Sequence, residues 1–243
     1  MEAFFEAVNR FLVFKNGVNS DSFASGVNFY KLVWIFLIGS VVGYVLESIW
    51  CYARHGRFES RKGVIYGPFS QIYGFGAVLF TLLLFKIQSA NGALIFLFSA
   101  FIGAVFEYFC SLVQEKSFGT VSWEYSNVPV NLHGRTNLSY ALCWGLLGLV
   151  FIKHIYPFCS ALVEMIPNRV GVPLTYAVLA LLAADLLISA MAVRRRMTRR
   201  RGIKARNACD RFLDRHYGDA RLDKVYPNMI VVDKKLEKLK KVF

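Results

Sequence analysis

FLIGSVVGYVLES, residues 36–48, and FLFSAFIGAVFEY, residues 96–108, decide the reading of this chain. Each sets a small residue, a glycine and a glutamate four positions apart: Gly39, Gly43 and Glu47 in the first, Ser99, Gly103 and Glu107 in the second. On an α-helix such residues stack along one face, giving a flat stripe that ends in a carboxylate. Both stripes lie inside strongly apolar runs. A charged carboxylate at the centre of a membrane helix costs about 2.5–3.5 kcal/mol on insertion scales, so each glutamate is expected to face the interior of a bundle.

The composition agrees. Of 243 residues 56% are hydrophobic, with 22 phenylalanines and 12 tyrosines, and the apolar runs have the length of membrane spans. The expected fold is all-α: a polytopic membrane protein with about five transmembrane helices, near Tyr30–Ala53, Phe69–Phe85, Gly92–Val113, Leu138–Pro157 and Val172–Val193. The second run is short for a hydrocarbon core of ~30 Å, but the charge pattern asks for a crossing there. Three regions follow: an amphipathic, interfacial segment over 1–29, a transmembrane helical domain over 30–193 and a basic tail over 194–243. Met1–Phe14 mixes two acids and an arginine with apolar residues and has no long h-region, which suits an interfacial helix better than a cleavable signal.

Charge sets the expected orientation. The loop Arg54–Gly67 carries Arg54, Arg57, Arg61 and Lys62, and the segment after Ala192 carries Arg194, Arg195, Arg196, Arg199, Arg200 and Arg201. The connections Lys86–Asn91 and Cys159–Gly171 hold one base each, Lys86 and Arg169. The positive-inside rule then puts both long loops and the C-terminus in the cytoplasm and the N-terminus outside, with Arg10, Lys15 and Lys31 pulling weakly the other way. Residues 194–243 hold seventeen Lys/Arg against six Asp/Glu, most of the net charge of +13. Such a cluster beside a span is expected to stop transfer and bind anionic lipid headgroups, at about 1 kcal/mol per residue. No base-reading module accompanies it, so no nucleic acid is expected. Leu222–Phe243 reads as a short amphipathic helix. The five cysteines lack CxxC spacing, and His55, His133, His154 and His216 show no ligand pattern, so neither metal nor cofactor is expected.

The paired stripes extend into an internal repeat. Gly43 and Glu47 match Gly103 and Glu107 at an offset of 60, and Gly63, Tyr73 and Gly74 match Gly134, Trp144 and Gly145 at 71. The change of offset fits eleven extra residues in the second loop. Each unit is helix, loop, helix, so two copies would insert in the same direction as a parallel repeat.

Polar residues collect where the long loops meet these helices. RKGVIYGPFSQIYGFG (61–76) turns at Gly67-Pro68 into the second span, and SWEYSNVPVNLHGR (122–135) is too mixed for a solvated linker. The candidate pathway or substrate-binding residues are Glu47, Glu107, Arg61, Lys62, Tyr73, Trp123, Tyr125, Asn131, His133, Arg135 and Asp185. Arg61, Lys62 and Arg135 are the nearest bases by topology and could pair with the glutamates. Three intramembrane acids against few intramembrane bases suit a cationic or proton-coupled solute. The glutamates read equally well as structural locks between helices, Asp185 leans structural, and Trp123 and Tyr125 suit interfacial anchoring as well as ligand contact.

GYVLES (43–48), YGPFSQIYGFG (66–76), FEYFCSLVQEKSFGTVSWEYS (106–126) and NLHGR (131–135) together resemble the ABC-transporter type IV permease family, over about residues 32–155. One departure stands out: Arg61-Lys62-Gly63 replaces the Asn-Arg-Gly that family members carry before the YGP string. The resemblance implies a transport component of the bacterial cytoplasmic membrane and names no solute. No GxxxxGK[ST] phosphate loop occurs, so ATP hydrolysis would need a separate ATP-binding subunit, docked on the loops and tail. Five spans are few for a complete translocation path, which points to a homodimer. Two other classes remain open: a membrane-embedded enzyme working on lipid or a lipid-linked substrate at the cytoplasmic leaflet, without a recognised catalytic signature, and a membrane regulator acting through its tail.

Overall fold

A computed structural model describes residues 21–232. The interfacial helix expected over Met1–Phe14, and residues 233–243 of the tail, lie outside the described residues. In chain order the main elements are α1 (Phe29–His55), α2 (Gln71–Leu84, with a 3-10 turn to Ile87), α3 (Gly92–Phe118), β1 (Thr120–Val121), β2 (Asn131–Leu132), β3 (Thr136–Asn137) and α4 (Leu138–Val150). They continue through a π turn (Phe151–Ile155) into α5 (Tyr156–Glu164), then α6 (Asn168–Arg200), α7 (Ala208–His216), α8 (Asp219–Val225) and β4 (Ile230–Val231). Four helical runs are long and apolar enough to cross a membrane: α1, α3, Leu138–Glu164 and α6. The run Gln71–Ile87 is shorter, so the described residues give four candidate spans and one short apolar helix where five spans were expected.

Local chemistry sets the helix ends. Asn28 and Asn91 cap α1 and α3 by accepting from the Lys31 and Ala93 amides at 2.9 and 2.8 Å, and Gly56 and Gly119 close them in the left-handed region at φ 67° and 66°. Each is 27 residues long, about 40 Å, enough to project beyond a ~30 Å hydrocarbon core. Pro157 has no N–H to give the ladder. The turn before it widens, and the Tyr156 amide bonds back to the Phe151 carbonyl.

The stripes are where α1 packs on α2 and α3 on α4. A Cβ on Gly43 would run into the Tyr73 ring, and one on Gly103 into the Trp144 ring. A Cβ on Gly74 would sit 2.7 Å from the Phe36 carbonyl oxygen, and one on Gly145 3.0 Å from that of Phe96. Gly39 meets Ala77 as Ser99 meets Gly148. These contacts follow the 60 and 71 offsets at every position. The stripes are therefore consumed inside each hairpin, where small residues let two backbones approach.

Ile35, Phe80, Leu84, Ile95, Trp144 and Ile152 fill the space between the hairpins. Leu182 of α6 packs on Val33, Phe36 and Leu37 of α1, and the Trp34 indole donates to Thr175 at 2.9 Å. Outward-facing side chains are large and apolar: Phe101 is 70% exposed and Leu181 72%. Such a surface on helices of this length belongs in lipid, so the chain is a membrane-embedded protein. At one end Lys31, fully buried, pairs with Glu164 and Ser160 and ties the start of α1 to the end of α5.

At the other end the tail folds back beneath the loops. Arg195 grips Asp214 through two hydrogen bonds of 2.9 and 2.8 Å, Arg199 reaches Asp214 and Asp219 at 2.8 and 2.6 Å, and Arg196 pairs with Asp223. Three of the arginines read as lipid anchors are thus bound to aspartates of α7 and α8, while Arg194 and Arg200 stay exposed. The expected amphipathic helix from Leu222 is replaced, within the described residues, by the end of α8 and by β4. Ile65, Ala192, Leu213, Tyr217 and Leu222 form a small core there, and β4 pairs antiparallel with β1.

Candidate functional site

Glu47 and Glu107 occupy the same point of their hairpins, one helical turn beyond the glycine that admits the partner ring. Neither carboxylate takes part in an ion pair among the described residues. Hydroxyls satisfy them. Tyr73 donates to Glu47 at 2.9 Å. Tyr125 and Thr136 donate to the two oxygens of Glu107 at 3.1 and 2.8 Å. Glu107 is 4% exposed and Glu47 half-buried.

The two acids share one neighbourhood. Tyr73 stacks obliquely on Trp144 at 5.8 Å, linking the first hairpin to the second, and Tyr125 stacks on Tyr140 at 4.9 Å. Burial, with the Glu107 carboxylate beside it and Tyr140 and Glu47 near, pushes the Tyr125 phenol well above its usual range. Tyr125 therefore stays a proton donor to Glu107 at any physiological pH. The outcome is a pair of acids in an aromatic, hydroxyl-lined setting with no base paired to either among the described residues.

The expected bases are spent elsewhere. Arg61 donates to the Cys51 thiol at 3.2 Å and to Glu59 at 3.4 Å, and Lys62 caps the Tyr66 carbonyl at 3.2 Å. Arg135 pairs with Glu115, donates to Ser111 at 3.1 Å and lies over the Tyr108 ring at 5.8 Å. Cys51 and Ser111 are again equivalent, each one turn beyond its glutamate. The pairing of Arg61, Lys62 or Arg135 with Glu47 or Glu107 does not occur.

The remaining candidates shape the loops. Trp123 donates to the Arg135 carbonyl at 2.8 Å. Asn131 accepts from the Gly134 amide at 2.9 Å and donates to the Val128 carbonyl at 2.8 Å, holding the β2–β3 turn in which His133 and Gly134 both adopt positive φ. The His133 ring meets the Tyr108 hydroxyl at 2.9 Å. Asp185 accepts from the Tyr66 and Gly67 amides at 3.2 and 2.7 Å and from Ser189 at 3.2 Å, which docks the first loop on α6. Thr136, Ser111, Glu115, Glu59 and the Lys31–Glu164 pair were not singled out from the sequence. A signal for Ser111 and Glu115 was there: the stripe continues past Glu107 at the same four-residue step, as the other continues to Cys51 and His55.

A family model described as putative ABC-transporter type IV matches residues 34–190, from the first helix to late in α6. The chain belongs to this family. No curated protein and no solved structure matches it. The matched range takes in both hairpins, both loops and Asp185, so the paired-acid region lies wholly within the family's extent and the α7–α8 tail outside it. With its apolar helices, membership makes this a membrane transport-related protein.

Proposed function

We propose that the chain is a permease component whose paired carboxylates, Glu47 and Glu107, bind a cationic or proton-coupled solute, with ATP hydrolysis supplied by a separate ATP-binding subunit. One observation supports the reading: two buried or half-buried acids from equivalent points of two hairpins meet hydroxyl donors and, among the described residues, no base. Lys31 and Glu164 at the opposite end close with a countercharge, and Asp185 is held by two backbone amides and a hydroxyl. Among the described residues, Glu47 and Glu107 meet side-chain hydroxyls alone. Here the countercharge is left for a ligand or a proton to supply. The matching contacts at offsets 60 and 71 support descent from a duplicated helix–loop–helix unit.

The same reading carries an orientation and an assembly. The short helix α2 crosses as a fifth span, the loops and the C-terminus face the cytoplasm, and the exposed Arg194 and Arg200 lie at the level of anionic headgroups of the bacterial cytoplasmic membrane. Two copies form the functional unit, and since each small-residue stripe is used within its own hairpin, they meet through other faces. Native mass measurement in lipid discs is expected to give a dimer; monomers throughout would remove that part.

The central test is binding. Thermal stabilisation of the purified chain by a panel of organic and inorganic monovalent cations and polyamines is expected, and to be lost in Glu47→Gln and in Glu107→Gln. Cation responses that survive both substitutions would overturn the reading. Co-purification of an ATP-binding subunit when neighbouring genes are co-expressed is the test of the transporter assembly.

A further inference from the structure

The geometry points to a transition-metal site at the loop end of α1, formed by Cys51, His55 and Glu59, of the class that takes Zn2+. It is independent of the paired-acid reading. One ligand atom from each residue lies within 4.8 Å of the other two. Cys51 Sγ is 3.5 Å from His55 Nδ1 and 3.7 Å from Glu59 Oε2. Ligands of a tetrahedral zinc, with Zn–S of about 2.3 Å and Zn–N or Zn–O of about 2.0–2.2 Å, stand roughly 3.3–3.8 Å apart, so two of the three separations already have the right size. Sulfur, imidazole and carboxylate together suit a borderline-soft cation and not Mg2+ or Ca2+.

The backbone explains the convergence. Cys51 and His55 are one turn apart on the last face of α1, the spacing by which helices present paired ligands to zinc. Gly56 then turns in the left-handed region, at φ 67°, and returns the chain so that Glu59 comes back to the same face. Glu59 Oε1 is held by Arg57 at 2.7 Å, which leaves Oε2 aimed at the thiol. Arg61 donates to both Sγ and Oε2, at 3.2 and 3.4 Å. These hydrogen bonds fix the orientation of the sulfur and of the carboxylate oxygen, as contacts to metal ligands do. Cys51 is 1% exposed while His55 is exposed, so an ion reaches the thiol from the imidazole side and keeps a fourth position open to water. Binding releases the Cys51 thiol proton to solvent and leaves every oxidation state unchanged. The second hairpin has Ser111 and Glu115 at the equivalent positions, so it cannot repeat the site.

The test uses the full chain in detergent micelles, titrated with Co2+ alone and then with Zn2+. One equivalent of Co2+ is expected to bind with a thiolate-to-cobalt charge-transfer absorption that Zn2+ abolishes by displacement. Cys51→Ser should remove the absorption, and His55→Ala or Glu59→Gln should weaken Co2+ binding at least about tenfold. Cys143→Ser and Cys209→Ser should change nothing. If Cys51→Ser melts early, Glu59→Gln carries the result, because its side chain is partly exposed. Absence of a cobalt–thiolate band, its persistence in Cys51→Ser, or an unchanged affinity in Glu59→Gln would each overturn the proposal.

Discussion

The two hairpins use the same packing and differ in how they treat their acid. In α1–α2, Glu47 is half-buried and takes one hydrogen bond, from Tyr73 of the facing helix. In α3–α4, Glu107 is 4% exposed and takes two, both from the second loop and the strand after it, through Tyr125 and Thr136. The helices thus fix where an acid stands, and the loops decide how it is held. Eleven more residues separate the equivalent positions of the second hairpin, but they are shared between longer helix ends and a loop, 119–137, only four residues longer than 56–70. This loop reaches back over the bundle with a tyrosine and forms the β2–β3 turn. Beneath the glutamates the contrast repeats: Arg135 closes on Glu115 and Ser111, whereas Arg61 meets Glu59 and a thiol.

Unequal donors give the largest expected effect. Glu107→Ala strands the buried Thr136 hydroxyl and the part-buried Tyr125 hydroxyl, at about 1–3 kcal/mol each, whereas Glu47→Ala strands the part-buried Tyr73 hydroxyl alone. Thermal or denaturant unfolding in micelles should show the Glu107 variant losing about twice as much stability. Equal losses would break the comparison and mean that Glu107's second donor contributes nothing. Next in size are the glycines. Gly43→Ala and Gly103→Ala each push a methyl into an aromatic ring, an overpacking cost of about 1–3 kcal/mol, and the two losses should match because the contacts match. Pairing Gly103→Ala with Trp144→Leu should recover part of the loss, as neighbours in contact are not additive. A loss at one glycine only would show that the packing of the two hairpins is alike in outline and unlike in energy.

Much of this architecture was legible. Apolar length located the helices, and the four-residue stripes located the helix–helix contacts, because backbones approach closely only where side chains are small. The partners of the glutamates were not legible. Tyr73 and Tyr125 lie 26 and 18 residues away, and a tyrosine near a membrane surface looks like an interfacial anchor whether or not its hydroxyl is used. Bases near an acid invite an ion-pair reading, yet Arg61 and Arg135 had closer acids in Glu59 and Glu115. The tail was misleading for the opposite reason. Seventeen bases hide the few aspartates that matter, and helices of nine and seven residues are too short to declare themselves by periodicity.

The smallest expected effect separates the hairpins through that tail. The first loop is docked on α6 and the tail by Asp185, by the Tyr66–Tyr217 hydroxyl contact of 2.7 Å and by Ile65; the second meets the tail through β1 and β4. Hydrogen bonds from Arg195, with Arg199 adding another, hold the Asp214 carboxyl down at about 2, against an ordinary value near 3.8. A depressed carboxylate stabilises the fold above its unfolded value and loses that contribution as pH falls through the folded one. Tail docking should therefore be intact above about pH 4 and weaken towards pH 2, and Asp214→Asn should reproduce the weakening at neutral pH. Because the pair is partly exposed, at 31% for Asp214, the loss should be within about 1 kcal/mol. Hydrogen exchange is the suitable readout, since it resolves local opening. Protection should fall at α7, α8 and Ile65–Gly67 and hold at Asn131–Asn137, where the second loop is closed by its own turn. Equal loss in both loops would mean that the tail clamps the two hairpins as one unit.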